Sequence, residues 1–353
     1  MTNAPKIIIS SSSVNKWATD GFNGKNGKNP ILSAYNFATS IPGVSGFEIG
    51  PTFNEPDFKD TWENELTQIR DSLDGKVISF HANFLRPGKY ANPARGTSVF
   101  NISMLAQWLN AAEIFKNYDG PKLASIHPAQ NEGGEIEVNP IKATRFYQLA
   151  SSAFYELGFK FATETMPPLA KYNNGFPAPG RLDQFKELFE MDNMHMILDL
   201  DHTRRTFPHI EQYHEFIEYA LKTGKVAEIH VGGIDQYCVS DAPHAYHPAI
   251  TGEEDLAFKT LQQHKDLILS QKNVPVIALE VHPLYMLIDQ IKEHQVGGES
   301  GKDLDFQHLK DYITQPHIAP NAFETPKEKK DYFGEEPRAY LTDQVRLIRK
   351  ALE

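Results

Sequence analysis

Eight short apolar segments recur at similar intervals along the 353-residue chain, and this repeat is the feature that most constrains its fold. Each segment has the length of a single β-strand, and each interval can hold a helix. An order of strand, helix, strand predicts parallel strands joined by helices. The segments are KIIISSSSV from Lys6, GFEIG from Gly46, VISFH from Val77, LASIH from Leu123, KFATE from Lys160, MHMILDLDH from Met194, VAEIHVGG from Val226 and VPVIALEV from Val274.

The intervals between the segments repeat apolar residues about every 3.6 positions, as amphipathic helices do. Such helices are predicted over residues 56–74, 99–116 and 211–222. Eight strands favour closure into a TIM barrel over an open doubly wound sheet. No G-x-G-x-x-G turn directly follows the first strand, as an open nucleotide-binding sheet would require. The expected fold is therefore an α/β chain with a (β/α)8 TIM barrel.

The part of the chain after the eighth segment falls outside this repeat. We expect a barrel over residues 1–296 and a C-terminal extension over 297–353 that packs on it. Residues 338–353 place apolar side chains on one face and predict a terminal helix. This helix is expected to cap the barrel or to contact another subunit, and a lid over the active site is the alternative.

Charge and cysteine content narrow the class of partner. The formal net charge of -11 gives no general attraction to nucleic acid or anionic lipid, so nucleic acid is a disfavoured partner. Cys238 is the single cysteine, which excludes an internal disulfide and a cysteine zinc site. The first residues lack the apolar stretch of a signal peptide or membrane span. We expect a cytoplasmic protein without a membrane partner, acting on a small molecule, with homo-oligomerisation left open.

Six segments carry a metal-ligand type of residue where the strand ends. In a parallel barrel these ends meet at one face, where active sites form. Acidic and imidazole groups gathered there would repel or remain unpaired without cations. A mixture of nitrogen and oxygen ligands without thiolate suits Mn, Zn, Co or Fe, so we predict a divalent metal. The six residues are His81, His127, Glu164, Asp199, His230 and Glu280.

Glu228 lies two positions before His230 and shares its face of the strand. It is expected either to orient that imidazole or to form an internal salt bridge.

Six motifs together resemble the xylose isomerase-like barrel superfamily over about residues 6–295: ISFHANF, SIHPA, FATETMP, LDLDHT, EIHVGG and ALEVHP. This superfamily includes sugar isomerases and epimerases and repair nucleases of the endonuclease IV type. In its ketose epimerases, four residues from the last four strands hold one metal. The resemblance places these ligands at Glu164, Asp199, His230 and Glu280. It also implies a role for His202, three residues after the aspartate, as a substrate contact.

The resemblance implies an isomerase or epimerase of a small sugar or related polyhydroxy carbonyl compound. A divalent ion on the carbonyl and hydroxyl oxygens acidifies the neighbouring C–H and stabilises the enediolate. Glu164 and Glu280 are then the catalytic residues that remove and return the proton, with pure metal ligation as the alternative role. Arg86 lies near the predicted mouth and is a candidate contact for a substrate phosphate or carboxylate.

Two features depart from the epimerases. No Lys or Arg follows His230 in VGGIDQYCVSDAPHAYHPAITGEEDL, where those enzymes usually carry an Arg. His81 and His127 match the histidines with which endonuclease IV-type enzymes bind a further zinc, bridged by the fifth-strand glutamate. An endonuclease IV-like multimetal phosphodiester hydrolase is therefore the first alternative function, because paired metals suit phosphoryl transfer.

The loop after the seventh segment leaves the number of ions open. Endonuclease IV-type enzymes hold a third zinc with a sixth-strand His, matched by His202, and an Asp-x-His in this loop. Asp241, His244 and His247 match that pattern approximately. We therefore expect one to three ions, with His81, His127, His202 and His247 as additional ligands. The same loop also resembles that of multinuclear iron oxidases that modify peptides, the second alternative.

Overall fold

The structure is a computed structural model, and it describes residues 4–18, 30–50, 61–81, 91–129, 140–166, 188–207, 209–234, 249–281 and 336–353. Eight parallel strands pair in chain order and close into one barrel, which confirms the predicted α/β TIM barrel. The strands are β1 Ile7–Ser10, β2 Gly46–Ile49, β3 Val77–His81, β4 Lys122–Ile126, β5 Lys160–Glu164, β6 Met194–Asp199, β7 Val226–Val231 and β8 Val276–Leu279.

Helices lie between the strands within the described ranges. Two of the predicted helices, over 99–116 and 211–222, are confirmed as α4 and α7, and α3 matches the described part of the helix predicted over 56–74. The helices are α1 Ser11–Ala18, α2 Pro30–Thr39, α3 Trp62–Ser72, α4 Val99–Glu113, α5 Pro140–Glu156, α6 Leu200–Thr206, α7 Ile210–Lys222, α8 Leu256–Leu269 and α9 Glu336–Leu352.

Aromatic side chains join the helices to the outer face of the barrel. The ring of Trp108 on α4 lies 4.7 Å from that of Phe154 on α5, measured between centroids. The same indole lies 6.0 Å from the ring of Phe161, which points outward from β5. All three side chains are fully buried, so this contact forms part of the main hydrophobic core between the sheet and the helices.

A second, smaller apolar cluster fills one end of the barrel interior. Side chains alternate between the two faces of a strand, so Val77 and Leu123 share the inner face with His81 and His127, four positions further along. The apolar cluster therefore lies beneath the polar strand ends and closes the N-terminal side of the interior. Its members are Ile8, Val77, Leu123, Ala227, Val276 and Ala278.

The sixth strand ends at Asp199, as predicted. The last three residues of the segment MHMILDLDH, from Leu200 to His202, belong to α6. The Asp199 carboxylate accepts a hydrogen bond from the backbone N–H of His202 at 2.7 Å, and so caps the helix. His202 is consequently displayed from a helix and not from a strand.

The predicted C-terminal helix is confirmed as α9. Its apolar face buries Leu341, Val345 and Ile348 in the main core. Gln344 holds the helix to the barrel, since its amide accepts from the backbone N–H of Ile250 at 2.7 Å and donates to the carbonyl of the same residue at 3.1 Å. The division at residue 296 stays a prediction, because residues 282–335 lie outside the described ranges. Among the helices described, none combines the length and apolarity needed to span a membrane.

Candidate metal centre

The structure brings the six predicted ligands together at the C-terminal face of the barrel. Their nitrogen and oxygen atoms converge in two groups that share Glu164, with the atoms of each group within 4.8 Å of one another. We call the first group the four-ligand site and the second the two-histidine site. The four-ligand site comprises Glu164, Asp199, His230 and Glu280, and the two-histidine site comprises His81, His127 and Glu164.

The four-ligand site is centred on one imidazole nitrogen. Nδ1 of His230 lies 2.9 Å from Oε2 of Glu280, 3.4 Å from Oε1 of Glu164 and 3.8 Å from Oδ2 of Asp199. It makes no hydrogen bond of good geometry among the described residues, although it is buried. Two atoms that bind one ion at about 2.1 Å and at angles of about 90–110° are about 3.0–3.4 Å apart. The separations to Glu280 and Glu164 are close to this range, and that to Asp199 is about 0.4 Å longer.

The two-histidine site is more regular. Nε2 of His81 and Nε2 of His127 are 3.1 Å apart. Oε2 of Glu164 lies 3.3 Å from the first nitrogen and 3.4 Å from the second. Three nearly equal edges of this length match one face of a tetrahedron around a zinc-sized ion. Since Oε1 of Glu164 faces His230 and Oε2 faces the two histidines, this carboxylate can bridge both sites.

The electrostatics of the centre favour cation binding at Glu164. Burial alone would raise the pKa of Glu164, but the charge of His81 and contacts with His202 and His230 hold that pKa well below its ordinary value. The carboxylate is therefore an anion at neutral pH. In the protein without ions, protonated imidazoles balance the charge of this carboxylate. A bound ion would take over that role and displace the protons from the imidazoles that ligate it.

The histidines differ in their protonation. Burial lowers the pKa of His127 to about 4, against the opposing charge of Glu164, so this imidazole is neutral and able to ligate even though 30% of its side chain is exposed. Burial also favours a lower pKa for His230. Glu48 and the other neighbouring carboxylates outweigh this effect and raise the pKa of His230 well above its ordinary value. The donor chemistry thus fits a divalent cation.

His202 joins neither converging group of ligand atoms. Its Nδ1 lies 2.8 Å from the carbonyl oxygen of Thr165 and 3.2 Å from Oε1 of Glu164. Burial would lower its pKa, but Asp199 and Glu164 raise it to about 10. The hydrogen bond to the carbonyl orients the ring at the edge of the four-ligand site. Its predicted roles as a substrate contact or additional ligand stay predictions.

Several predicted residues lie outside the described ranges. Arg86 falls between β3 and α4, and the loop residues Asp241, His244 and His247 fall between β7 and α8. Both the third metal position and the comparison with iron oxidases depend on that loop.

Glu48 is a residue of the centre that the sequence analysis missed. It is fully buried on β2, and its Oε2 lies 3.1 Å from Nε2 of His230. Glu228, the expected partner, is further away at 3.8 Å and instead accepts a hydrogen bond from Ser79 at 2.9 Å. The sequence did hold a signal for Glu48, which is the acidic residue in the middle of the apolar segment GFEIG. A carboxylate in a buried strand needs a partner, and that requirement could have pointed to the centre.

Ser12 was also missed. It belongs to the serine run after β1, and its hydroxyl donates to Oε1 of Glu280 at 3.2 Å. This bond leaves Oε2 of Glu280 directed at His230, 2.9 Å from its Nδ1.

No protein-family model matches the chain. No curated protein matches it either. Several solved structures are similar to the chain. One is a D-psicose 3-epimerase from Clostridium cellulolyticum H10, solved with D-tagatose, which is 12% identical with a TM-score of 0.57 and 99% of each chain covered. A xylose isomerase domain-containing protein from Salmonella typhimurium LT2 is 11% identical with a TM-score of 0.53, covering 83% of this chain and 98% of that one.

The IolI protein, solved with a zinc atom, is 13% identical with a TM-score of 0.52, covering 89% of this chain and 99% of that one. At such identities the likeness shows the fold alone. That fold is the (β/α)8 barrel that the sequence predicts.

Proposed function

We propose that this protein is a metal-dependent isomerase or epimerase of a small sugar or a related polyhydroxy carbonyl compound. The observation that carries the proposal is the convergence of Glu164, Asp199, His230 and Glu280 at the C-terminal face of the barrel. Active sites of this fold form at that face. The D-psicose 3-epimerase among the similar structures adds support at the level of the fold.

The proposed reaction moves a proton at the carbon next to a carbonyl. A divalent ion at the four-ligand site would supply Lewis-acid polarisation of the carbonyl oxygen. One carboxylate takes the proton from carbon, the carbonyl becomes an enediolate, and a carboxylate returns a proton to carbon. We assign these steps to Glu164 and Glu280, which approach Nδ1 of His230 at 3.4 and 2.9 Å. Return on the opposite face inverts the carbon. Return to the neighbouring carbon, with transfer of the hydroxyl proton from one oxygen to the other, isomerises the sugar.

The surroundings of the two carboxylates suit different parts in this reaction. Glu280 keeps 15% of its side chain exposed, so a proton on it can exchange with water. Glu164 is 1% exposed and carries a strongly lowered pKa, which makes it the weaker base and the firmer ligand. We therefore assign the solvent-exchanging step to Glu280. The protonated ring of His202 is suited to donate to a substrate oxygen.

Exchange of substrate hydrogen with heavy water tests this function. The protein is loaded with Mn²⁺ or Co²⁺ and incubated in D2O with a panel of ketopentoses and ketohexoses, and deuterium in the recovered sugars is measured by mass spectrometry. Carbon-bound deuterium is expected for at least one ketose. Its incorporation should vanish in Glu280→Gln and persist in Glu254→Gln, a matched change at a surface residue that pairs with Lys259. Metal-loaded protein that exchanges no ketose would contradict the proposal.

The two-histidine site favours one further candidate, a multimetal phosphodiester hydrolase. Its support is the near-equilateral arrangement of His81, His127 and Glu164, with Glu164 placed to bridge two ions. Paired ions stabilise both the attacking and the leaving oxygen of a phosphodiester. Elemental analysis together with cleavage of an abasic duplex separates the two functions. Three zinc ions and cleavage favour the hydrolase, whereas one ion and deuterium exchange favour the isomerase.

A further inference from the structure

We propose that Glu48 positions His230 for metal binding by holding its imidazole in the tautomer that carries the proton on Nε2. The inference rests on the metal site of the proposed function. It assigns a role to a residue on β2, a strand that contributes no member to the four-ligand site.

A direct hydrogen bond joins Glu48 to His230. Oε2 of Glu48 and Nε2 of His230 are 3.1 Å apart, and both side chains are 0% exposed. A carboxylate only accepts hydrogen bonds, so the nitrogen must carry the proton. With the proton on Nε2, the neutral ring presents its lone pair at Nδ1. That nitrogen lies among the carboxylates of the four-ligand site.

Glu228, the neighbouring acid, does not orient the ring of His230. Oε1 of Glu228 lies 3.8 Å from Nε2 of His230, which is beyond hydrogen-bonding distance. Its other oxygen accepts from Ser79 at 2.9 Å. Glu228 is therefore a poor acceptor for the imidazole.

Glu48 positions the ring and does not itself ligate the ion, although Glu48, His81 and His230 also offer atoms within 4.8 Å of one another. The two nitrogens nearest Glu48 are already hydrogen-bonded, Nε2 of His230 to Glu48 at 3.1 Å and Nδ1 of His81 to the hydroxyl of Ser125 at 2.8 Å. Each ring thus has its own partner behind the metal centre, Glu48 for His230 and Ser125 for His81. Such partners fix the ring and raise its basicity, and their loss typically weakens metal binding about 10- to 100-fold.

The test compares the same substitution at two neighbouring buried glutamates. In Glu48→Met, an apolar side chain of similar length removes the acceptor, and affinity for Zn²⁺ or Co²⁺ should fall about 10- to 100-fold. Glu48→Gln restores a neutral acceptor and should recover part of the loss. The control Glu228→Met should stay within about threefold of wild type, because no bond to His230 is removed. Affinities are measured on metal-free protein by competition with a chelator, and circular dichroism checks the fold.

A measurement on the wild-type protein keeps the inference testable if a variant fails to fold. With ¹⁵N-labelled histidine and bound Zn²⁺, long-range ¹H–¹⁵N correlation should show His230 protonated at Nε2. Protonation at Nδ1, an unchanged affinity in Glu48→Met, or an equal loss in Glu228→Met overturns the role of Glu48. These outcomes leave the proposed function standing. Wild-type protein that binds no divalent ion at all overturns both.

Discussion

The two oxygens of Asp199 have separate predicted roles, helix capping and metal binding, and two substitutions distinguish them. Oδ1 accepts the backbone N–H of His202 at 2.7 Å and caps α6, while Oδ2 faces Nδ1 of His230 in the four-ligand site. Asparagine is among the best N-capping residues, so Asp199→Asn keeps the cap and removes the charged ligand. Asp199→Ala removes both. Comparison of the two variants therefore isolates the structural role from the metal-binding role.

The expected magnitudes follow from burial. Asp199 is 0% exposed, so alanine leaves a buried N–H without its partner, and the free energy of unfolding of the metal-free protein should fall by about 2 kcal/mol. Asparagine should destabilise it by about 1 kcal/mol less than alanine does, since the cap is kept while both variants lose the charge beside His202. An ion at about 100 times its dissociation constant stabilises the wild-type fold by about 2.7 kcal/mol. Both variants should lose most of this gain.

Urea unfolding with and without Zn²⁺, after removal of endogenous metal, measures all of these quantities. Two results would refute the reasoning. If Asp199→Asn destabilises the metal-free protein as much as Asp199→Ala does, the cap is not what Oδ1 provides. If Asp199→Asn keeps the full stabilisation by Zn²⁺, Asp199 is not a ligand.

Three further predictions address the centre, the helices and the C-terminus. Glu164→Gln should lower deuterium exchange at least about 100-fold with the fold intact by circular dichroism, and full turnover would contradict its assigned role. Burial and the charge of His214 lower the pKa of His264 from 6.5 to about 4, so the stability that its neutral form contributes is present above pH 6.5 and is lost as the pH falls towards 4. The free energy of unfolding of His264→Gln should therefore depend less on pH across that range than that of the wild type does. Gln344→Ala should lower the free energy of unfolding by about 1–3 kcal/mol in denaturant titrations, because the backbone N–H and carbonyl of Ile250 both lose their partner. An unchanged unfolding midpoint would show that α9 does not depend on this contact.

Local periodicity was enough to predict the barrel and most of its metal centre. Side chains alternate along each strand, and parallel strands end at one face, so an acid or imidazole at each strand end predicts convergence without any coordinates. His81, His127, Glu164 and Glu280 are at that face because of this rule. Their chemical roles stay predictions, since the rule concerns placement and not reactivity.

The tertiary structure decided the features that depend on contacts between distant segments. Glu48 and His230 are 182 positions apart, and closure of the barrel brings their side chains together in its interior. No local pattern encodes that pairing. The start of α6 directly after β6 was likewise visible only in the structure, where the Asp199 carboxylate caps the helix that carries His202. The sequence alone thus determined which residues face the mouth, and the packed barrel decided which of them hold one another in place, since side chains from distant strands meet only when the sheet closes.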